Sequence, residues 1–570
     1  MKPTTSRTRN VVRPLAVLLL LGACGIEERD RARAELLVAQ REKSELARKL
    51  ATVQAEEARA RGLIQAAETK AQSAQDEAAQ RIADVRQRGA EIEAKARAEA
   101  EAREKDAKVQ EKEVKRLTSH RDELIEWIEK ELLPAAESKD PRLVNLKETA
   151  TDMAAEVEKI RGLKFKRPFM RRLLSREQTV EWMTRDAKKE MTPEEVKKFV
   201  GVGAVFGLCR PDTDIAEILG QIADAGIAAF YKPETGTFYH IAGNDGRGAR
   251  PVVFHELVHA LDDQYFDLTA MSESVEDDSD RQIALKGLIE GSAAWHEGVY
   301  EKAHPEDLKA MVESQATPEM MAKQMKMANQ VPPSFLMVMA LYPYNNAKAW
   351  VGAMKPDAAV MERLFKDPPV SSEQVLHPAK FPLDGPRDYP HRVAAPDLAA
   401  VFGAGFEKLD EDNMGELMTG ALLAQLQVGG AYIPTLAISV DPSTQGVGFR
   451  DPVKRAAEGW DGDRYAAWEE KATGAVSVVW VSCWDSDKDA QEFHENYTDG
   501  VGRRVMGRTQ KPRPSPARFT DPKTGRVTGL EIFGNRVVAV LNAPADKAEA
   551  MLAAGLATKI EPDARDANDK

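Results

Sequence analysis

Between residues 27 and 133 the chain contains no proline, and Ala, Glu, Lys, Arg and Gln dominate. Those side chains lose little freedom in a helix, and no proline ring interrupts the hydrogen-bond ladder. The stretch therefore predicts one long helix. A heptad register places Leu36, Ala39, Leu46, Leu50, Val53, Ala60, Ile64, Ala67, Ala71, Ala74, Ala78, Val85 and Ile92 on the a and d positions, and Lys43, Glu57, Arg81 and Arg88 break it. The seam is rich in alanine, so a coiled coil built on it is narrow and weakly specified. It offers a route to self-association without fixing an oligomeric state. Beyond Ile92, charged repeats such as the run from Ala94 to Glu99 can hold a solvated helix through pairs four residues apart. A hundred helical residues reach roughly 150 Å, which makes this a stalk. A partly disordered tether is the competing form.

The segment before the stalk reads as an export signal. Lys2, Arg7, Arg9 and Arg13 precede an apolar run from Leu15 to Leu21, which is too short to span a bilayer as a mature helix. The run ends in Leu21-Gly22-Ala23-Cys24. This resembles the lipobox of bacterial lipoproteins and implies cleavage before Cys24, which would carry the lipid. Gly25 stands where an Asp would favour inner-membrane retention, so the resemblance implies the cell envelope, and the outer membrane over the inner. More than one acyl chain gives stable anchoring. Cys209 and Cys483 are the remaining cysteines. In an oxidising compartment they could pair, or they could be two separate buried thiols.

At 570 residues the chain exceeds one core. A net charge of −12 argues against a nucleic-acid partner, which needs a basic face. The expected plan is multidomain: a signal peptide over 1–23, a helical stalk over 24–134, a mainly α (α+β) domain over 135–424, a small α+β domain over 425–560 and a tail over 561–570. Helical patterns cover 175–190 and 193–207. Aromatic runs at 228–231 and 237–241 flank Lys232-Pro233-Glu234-Thr235-Gly236 and predict a β-hairpin. Near the C-terminus, 476–482 and 536–541 read as strands, and 487–497 and 546–556 as helices. Trp460, Trp468, Trp480 and Trp484 fall here and are expected in a core. The acidic run from Glu273 to Asp280 matches no calcium-loop spacing and reads as a solvated loop.

The chemistry concentrates in Pro251-Val252-Val253-Phe254-His255-Glu256-Leu257-Val258-His259-Ala260-Leu261-Asp262-Asp263-Gln264. Two histidines four residues apart share one face of a helix and can ligate a single zinc ion, while the intervening Glu reaches water at the metal. Phe254, Leu257, Val258 and Leu261 form an apolar stripe on a neighbouring face, and Pro251 suits the first helical turn. A catalytic zinc site takes three protein ligands and keeps one position open. Glu290, in Leu288-Ile289-Glu290-Gly291-Ser292-Ala293-Ala294, is the best third candidate, on a helix expected to start near Ser279. Glu297, seven residues further along the same face, is its rival.

His-Glu-x-x-His followed by a downstream Glu-x-x-Ala resembles the gluzincin group of metallopeptidases, which includes the thermolysin-like enzymes. The specific match spans about forty residues, and a looser likeness to extracytoplasmic metallopeptidase-like proteins runs over 160–400. The resemblance implies a zincin-like domain, one zinc per chain, His255, His259 and Glu290 as ligands, and Glu256 as general base. The small residues Gly291, Ser292 and Ala293 suit a helix pressed against the histidine helix. Where the thermolysin pattern has an Asp four residues after the ligand Glu, this chain has Ala294. Another residue must orient a ligating histidine; Asp262 is the first candidate and Asp263 the second. In gluzincins a Tyr or His from downstream often stabilises the oxyanion, and here His377, Tyr344 and Tyr342 are the candidates.

These residues describe a lipid-anchored zinc peptidase that hydrolyses peptide bonds in envelope proteins or peptides through water activated by Glu256. The competing reading is a non-catalytic coiled-coil lipoprotein that scaffolds partners around a structural or relic metal site. Glu256 favours the enzyme, because a structural site has no use for a carboxylate beside its ligands.

Overall fold

A computed structural model of the chain describes residues 44–45, 152–182, 192–218, 229–241, 246–323, 337–427, 438–440, 447–507 and 514–565. The chain divides into two compact units, Met1–Lys139 and Asp140–Lys570. The export signal, Cys24 and nearly all of the expected stalk lie outside the described residues. The second unit mixes helices and sheets. Among the described residues, no helix is long and apolar enough to cross a membrane.

The first part of this unit is built on a small sheet. Strand β1 (Met170–Leu174) runs parallel to β3 (Thr237–Ile241), and β2 (Ala229–Lys232) pairs antiparallel with β3 on its other side. Order β1-β3-β2 leaves β2 at an edge. The expected hairpin is present. Its turn is a single helical turn, Pro233–Thr235, closed by Gly236 at φ 61, a left-handed conformation that glycine adopts without steric cost. Helix α1 (Pro193–Phe206) follows the expected pattern. Thr192 and Glu195 cap its start reciprocally, and Gly207 ends it at φ 97.

Helix α2 (Arg250–Phe266) carries the His-Glu-x-x-His segment, with proline in its first turn. Phe254, Leu257, Val258 and Leu261 have no solvent exposure and pack with Ala229, Phe238, Ala293 and Tyr300. The stripe thus clamps α2 between the small sheet and α3 (Ser279–Ala303). Asp278 caps α3 by accepting from the Arg281 N–H. Gly291 on α3 lies against the backbone of Ala347, where a Cβ would come within 2.7 Å. That contact seats a π-helical segment, Met337–Ala347, with Pro343 inside it. Proline cannot donate to the ladder, and a widened turn accommodates it.

The C-terminal sheet has six antiparallel strands in the order β10-β11-β12-β9-β8-β5. These are β5 (Phe406–Asp412), β8 (Trp460–Glu470), β9 (Val476–Trp484), β10 (Ala517–Thr520), β11 (Val527–Phe533) and β12 (Arg536–Ala543). Separately, β4 (Arg392–Val393) pairs with β13 (Ile560–Glu561), and β6 (Ile438–Val440) pairs with β7 (Val447–Phe449). The short helix α4 (Ser372–Leu376) and α5 (Gly415–Gln427) flank β5 in sequence. Helices α6 (Asp487–Met506) and α7 (Ala548–Leu556) each follow three strands and cover opposite faces of the sheet. The sheet therefore begins at β5, upstream of the boundary expected at 425. Alternation along β9 explains the two layers. Val478, Trp480 and Trp484 face α6, while Val479 and Val481 face α7. Trp460, Trp480 and Trp484 are core residues, as expected, and Trp468 stacks on Phe402 at 5.4 Å between centroids. Cys209 and Cys483 are separate free thiols that donate to different backbone carbonyls, Val200 and Asp461.

Candidate metal centre

Helices α2 and α3 bring three expected ligands to one point. His255 Nε2 lies 3.1 Å from His259 Nε2, and Glu290 Oε2 lies 3.3 Å from the first and 3.4 Å from the second. Zinc bonds of 2.0–2.1 Å arranged as a tetrahedron separate the ligand atoms by about 3.3–3.4 Å. The triangle has the size of one face of that tetrahedron. Its donor set, two imidazoles and one carboxylate, suits zinc and leaves a fourth position. Both histidines are buried. The charges of the three groups compensate one another. Burial disfavours the His255 cation, but Glu290 and Glu297 outweigh it and hold His255 well above its usual range. Burial likewise opposes the charge on Glu290, yet His259 and His255 hold it well below the ordinary carboxylate range.

The remaining ring nitrogen, His255 Nδ1, meets Glu297 Oε2 at 3.0 Å. Glu297 thus meets the His255 nitrogen that faces away from the triangle, and Glu290 the one that faces into it. The signal for Glu297 was the seven-residue spacing from Glu290, two turns along one face. Asp262 does not orient a histidine. It points the other way into the core, accepts from Arg161 Nε at 2.8 Å and from Ser292 Oγ at 3.0 Å, and touches neither histidine. The Arg161–Asp262 pair is fully buried, and the partner lies 101 residues away, so periodicity on α2 could not reveal it. Ser292 is small for this contact, and Ala293 packs directly on α2.

Glu256 projects beside the triangle. Burial raises its pKa, while His259 and His255 pull it down. Its Oε2 accepts the backbone N–H of Tyr231, on edge strand β2, at 2.8 Å. Tyr344, carried by the π-helical segment, approaches the His255 ring. Its ring centroid is 5.6 Å from that of His255. The neighbouring Glu290 carboxylate, burial and Glu256 together hold its phenol well above its normal range, and the hydroxyl bonds to Glu290. Tyr344 as a residue is 43% exposed, while its hydroxyl end is enclosed among Glu290, Glu256 and Glu297.

His377 is not brought to the triangle. Its Nε2 pairs with Glu416 Oε1 at 2.8 Å, between α4 and α5. Tyr342 is a fully buried core residue against Gly287. The acidic run is not a uniformly solvated loop either: Asp278 caps α3, and Asp280 is buried, accepting from the Ser372 N–H. Among the described residues two other clusters gather ligand-type atoms, and their internal distances distinguish them from the first. His391 Nδ1 and Asp461 Oδ2, beside Cys483, are only 2.6 Å apart, the spacing of a direct contact with no room for an ion between them. Glu373, Asp388 and Asp485 already share a cation, Lys380 Nζ, at 2.6–3.0 Å.

A family model described as a domain of unknown function (DUF8575) matches residues 403–552. The match covers the C-terminal sheet from β5 into α7 and stops short of α2 and α3. No curated protein and no solved structure matches the chain.

Proposed function

We propose that the chain is a zinc-dependent peptidase of the gluzincin kind, anchored by lipid at Cys24 in the bacterial cell envelope, with the outer membrane favoured over the inner. The observation that carries the reading is the His255–His259–Glu290 triangle, whose edges match a zinc coordination face, with a second carboxylate, Glu256, beside it. Zinc, when bound, polarises a carbonyl and makes water acidic near neutral pH. The chain's own groups supply the rest. Glu256, raised by burial, is suited to take a proton from the attacking water and return it to the leaving amine. The Tyr344 hydroxyl, which bonds Glu290 in the free site, would turn to donate to the oxygen where negative charge develops. Glu297 fixes the His255 ring. Edge strand β2 lies next to Glu256, which favours a substrate in extended form. Its Tyr231 N–H is taken by Glu256, so a bound peptide would pair through the other edge groups.

The test pairs elemental analysis with cleavage of an unfolded protein by the full chain, with and without Glu256→Gln. One zinc per chain and activity lost only in the variant is the expected result. A chain without zinc under conditions that do not strip metal would overturn the reading.

A further inference from the structure

Tyr231 meets α2 at two points. Its backbone N–H donates to Glu256 Oε2 at 2.8 Å, and its hydroxyl donates to Asp263 Oδ2 at 2.7 Å. Glu256 and Asp263 are seven residues apart on one helix, so the two anchors lie about 10 Å apart along its axis. The tyrosine is thus laid along α2. Asp263 is itself fixed, because its Oδ1 accepts the Leu268 N–H at 3.0 Å just past the end of the helix. On the strand side, Tyr231 pairs with Phe238 of β3. Its N–H points away from β3, and in an antiparallel ladder that makes the pair a non-hydrogen-bonded one. The N–H is consequently an edge group whose partner is the Glu256 carboxylate.

This arrangement does something that core packing alone does not require. A glutamate has three rotatable side-chain bonds, and a general base works only when its oxygen is held at the reacting proton. One oxygen of Glu256 is tied to the strand, and the strand is tied to α2 through the ring of Tyr231. We propose that Asp263 and Tyr231 form a latch that holds the Glu256 carboxylate beside the His255–His259–Glu290 triangle. Tyr231 and Asp263 are positioning residues that act through Glu256. The inference rests on the peptidase reading for its consequence, while the latch itself is a statement about geometry.

The experiment uses the full chain with Tyr231→Phe, Asp263→Ala and Asp263→Asn. Zinc stays at one per chain in all three. Tyr231→Phe and Asp263→Ala lower kcat about tenfold to a hundredfold with KM within about twofold, the pattern of a misplaced base. Asp263→Asn recovers most of kcat, because a carboxamide can still accept from Leu268 and bond the tyrosine oxygen, which donates or accepts. Hydrogen exchange at the Tyr231 amide is the readout that needs no activity. It is slow in the unaltered chain and faster by at least about tenfold in Asp263→Ala and Glu256→Ala, because the edge N–H is then released to water. Unchanged exchange in Asp263→Ala overturns the latch, as does a loss of kcat that Asp263→Asn fails to recover. A chain with slow exchange that is released by Asp263→Ala, yet no cleavage of any substrate, supports the latch and overturns the peptidase reading.

Discussion

The roles of Glu290 and Glu297 can be separated by zinc affinity. Both carboxylates sit on one face of α3, and both touch His255, at 3.3 Å through Nε2 and 3.0 Å through Nδ1. In the proposed zinc site Glu290 is the ligand and Glu297 the orienter. Removing Glu297 by Glu297→Ala deletes one charge-assisted hydrogen bond to a buried ring, worth about 1.5–3 kcal/mol. At 1.4 kcal/mol for each tenfold, zinc binding weakens by about ten- to a hundredfold, the range found for groups that support a ligating histidine. Glu297→Gln keeps an acceptor oxygen at the same place and loses only the charge, so its effect falls at the low end of that range. Glu290→Ala removes one of three ligands, and zinc content falls well below one per chain. The assay is competition with a chromophoric chelator at neutral pH, with elemental analysis after dialysis. If Glu297→Ala empties the site while Glu290→Ala keeps its zinc, the two roles are exchanged. Unchanged affinity in both variants would refute the site altogether.

Tyr344→Phe is expected to lower kcat about a hundred- to a thousandfold while zinc remains at one per chain, because in the proposed mechanism it removes the donor to the developing oxyanion; steady-state kinetics beside metal analysis checks this. Arg161→Ala strands the buried Asp262 carboxylate and costs about 3–5 kcal/mol of stability, read as a shift in the denaturant midpoint. The His377 pair gives a pH test. Burial lowers the pKa of this imidazole, but Glu416 outweighs it and raises the value above 6.5. A raised histidine stabilises the fold fully below pH 6.5, and the contribution fades as pH climbs through the folded pKa. The stability gap between the unaltered chain and His377→Gln should therefore be widest below pH 6.5 and shrink above it, with zinc-dependent activity retained in the variant. A gap that widens with rising pH, or activity lost with zinc intact, would show that His377 acts otherwise.

What could be read from the sequence followed the range of each interaction. His255 and His259 lie about one helical turn apart on one face with Glu256 beside them, and periodicity alone sets that arrangement. The hairpin and the small residues of α3 were equally legible, because turn chemistry and close approach are local demands. Glu290 was reachable because helix α3 follows α2 closely and carries small neighbours. Asp262 misled for a related reason. Its spacing from His255 allows contact, but the side chain follows a buried arginine contributed from 101 residues upstream. Tyr231 was visible only as a hairpin aromatic, since nothing in a strand pattern states that an edge N–H will meet a carboxylate 25 residues later. The sheet boundary was missed because β5, Phe406-Glu407-Lys408-Leu409-Asp410-Glu411-Asp412, is mostly charged. As an edge strand it buries little, and charges on such a strand discourage unwanted pairing.

The same strand shows why the C-terminal sheet matters to a metal centre it does not contain. At the end of β5, Asp412 accepts the Ser279 N–H at 3.0 Å and Asn413 accepts the Asp280 N–H at 3.0 Å, while the Asn413 amide donates to Asp278 at 2.7 Å. The start of α3 is thereby stapled to this turn. The turn is in turn fixed to the sheet, because the N–H groups of Met414 and Gly415 and the indoles of Trp460 and Trp480 all donate to Asp463 on β8. Gly415, at φ 68, is packed so closely that a Cβ would overlap the Asp280 carboxylate. From Asp280 to Glu290 is ten residues, or about 15 Å of continuous helix. A helix of that length transmits the position of its end with little bending, and its small-residue contact with the π-helical segment fixes its rotation. The third candidate ligand is therefore placed by the sheet at one end and by α2 at the other. The sheet strands and α3 also share one apolar core, so the part of the chain that matches the domain of unknown function belongs physically to the frame of the metal centre.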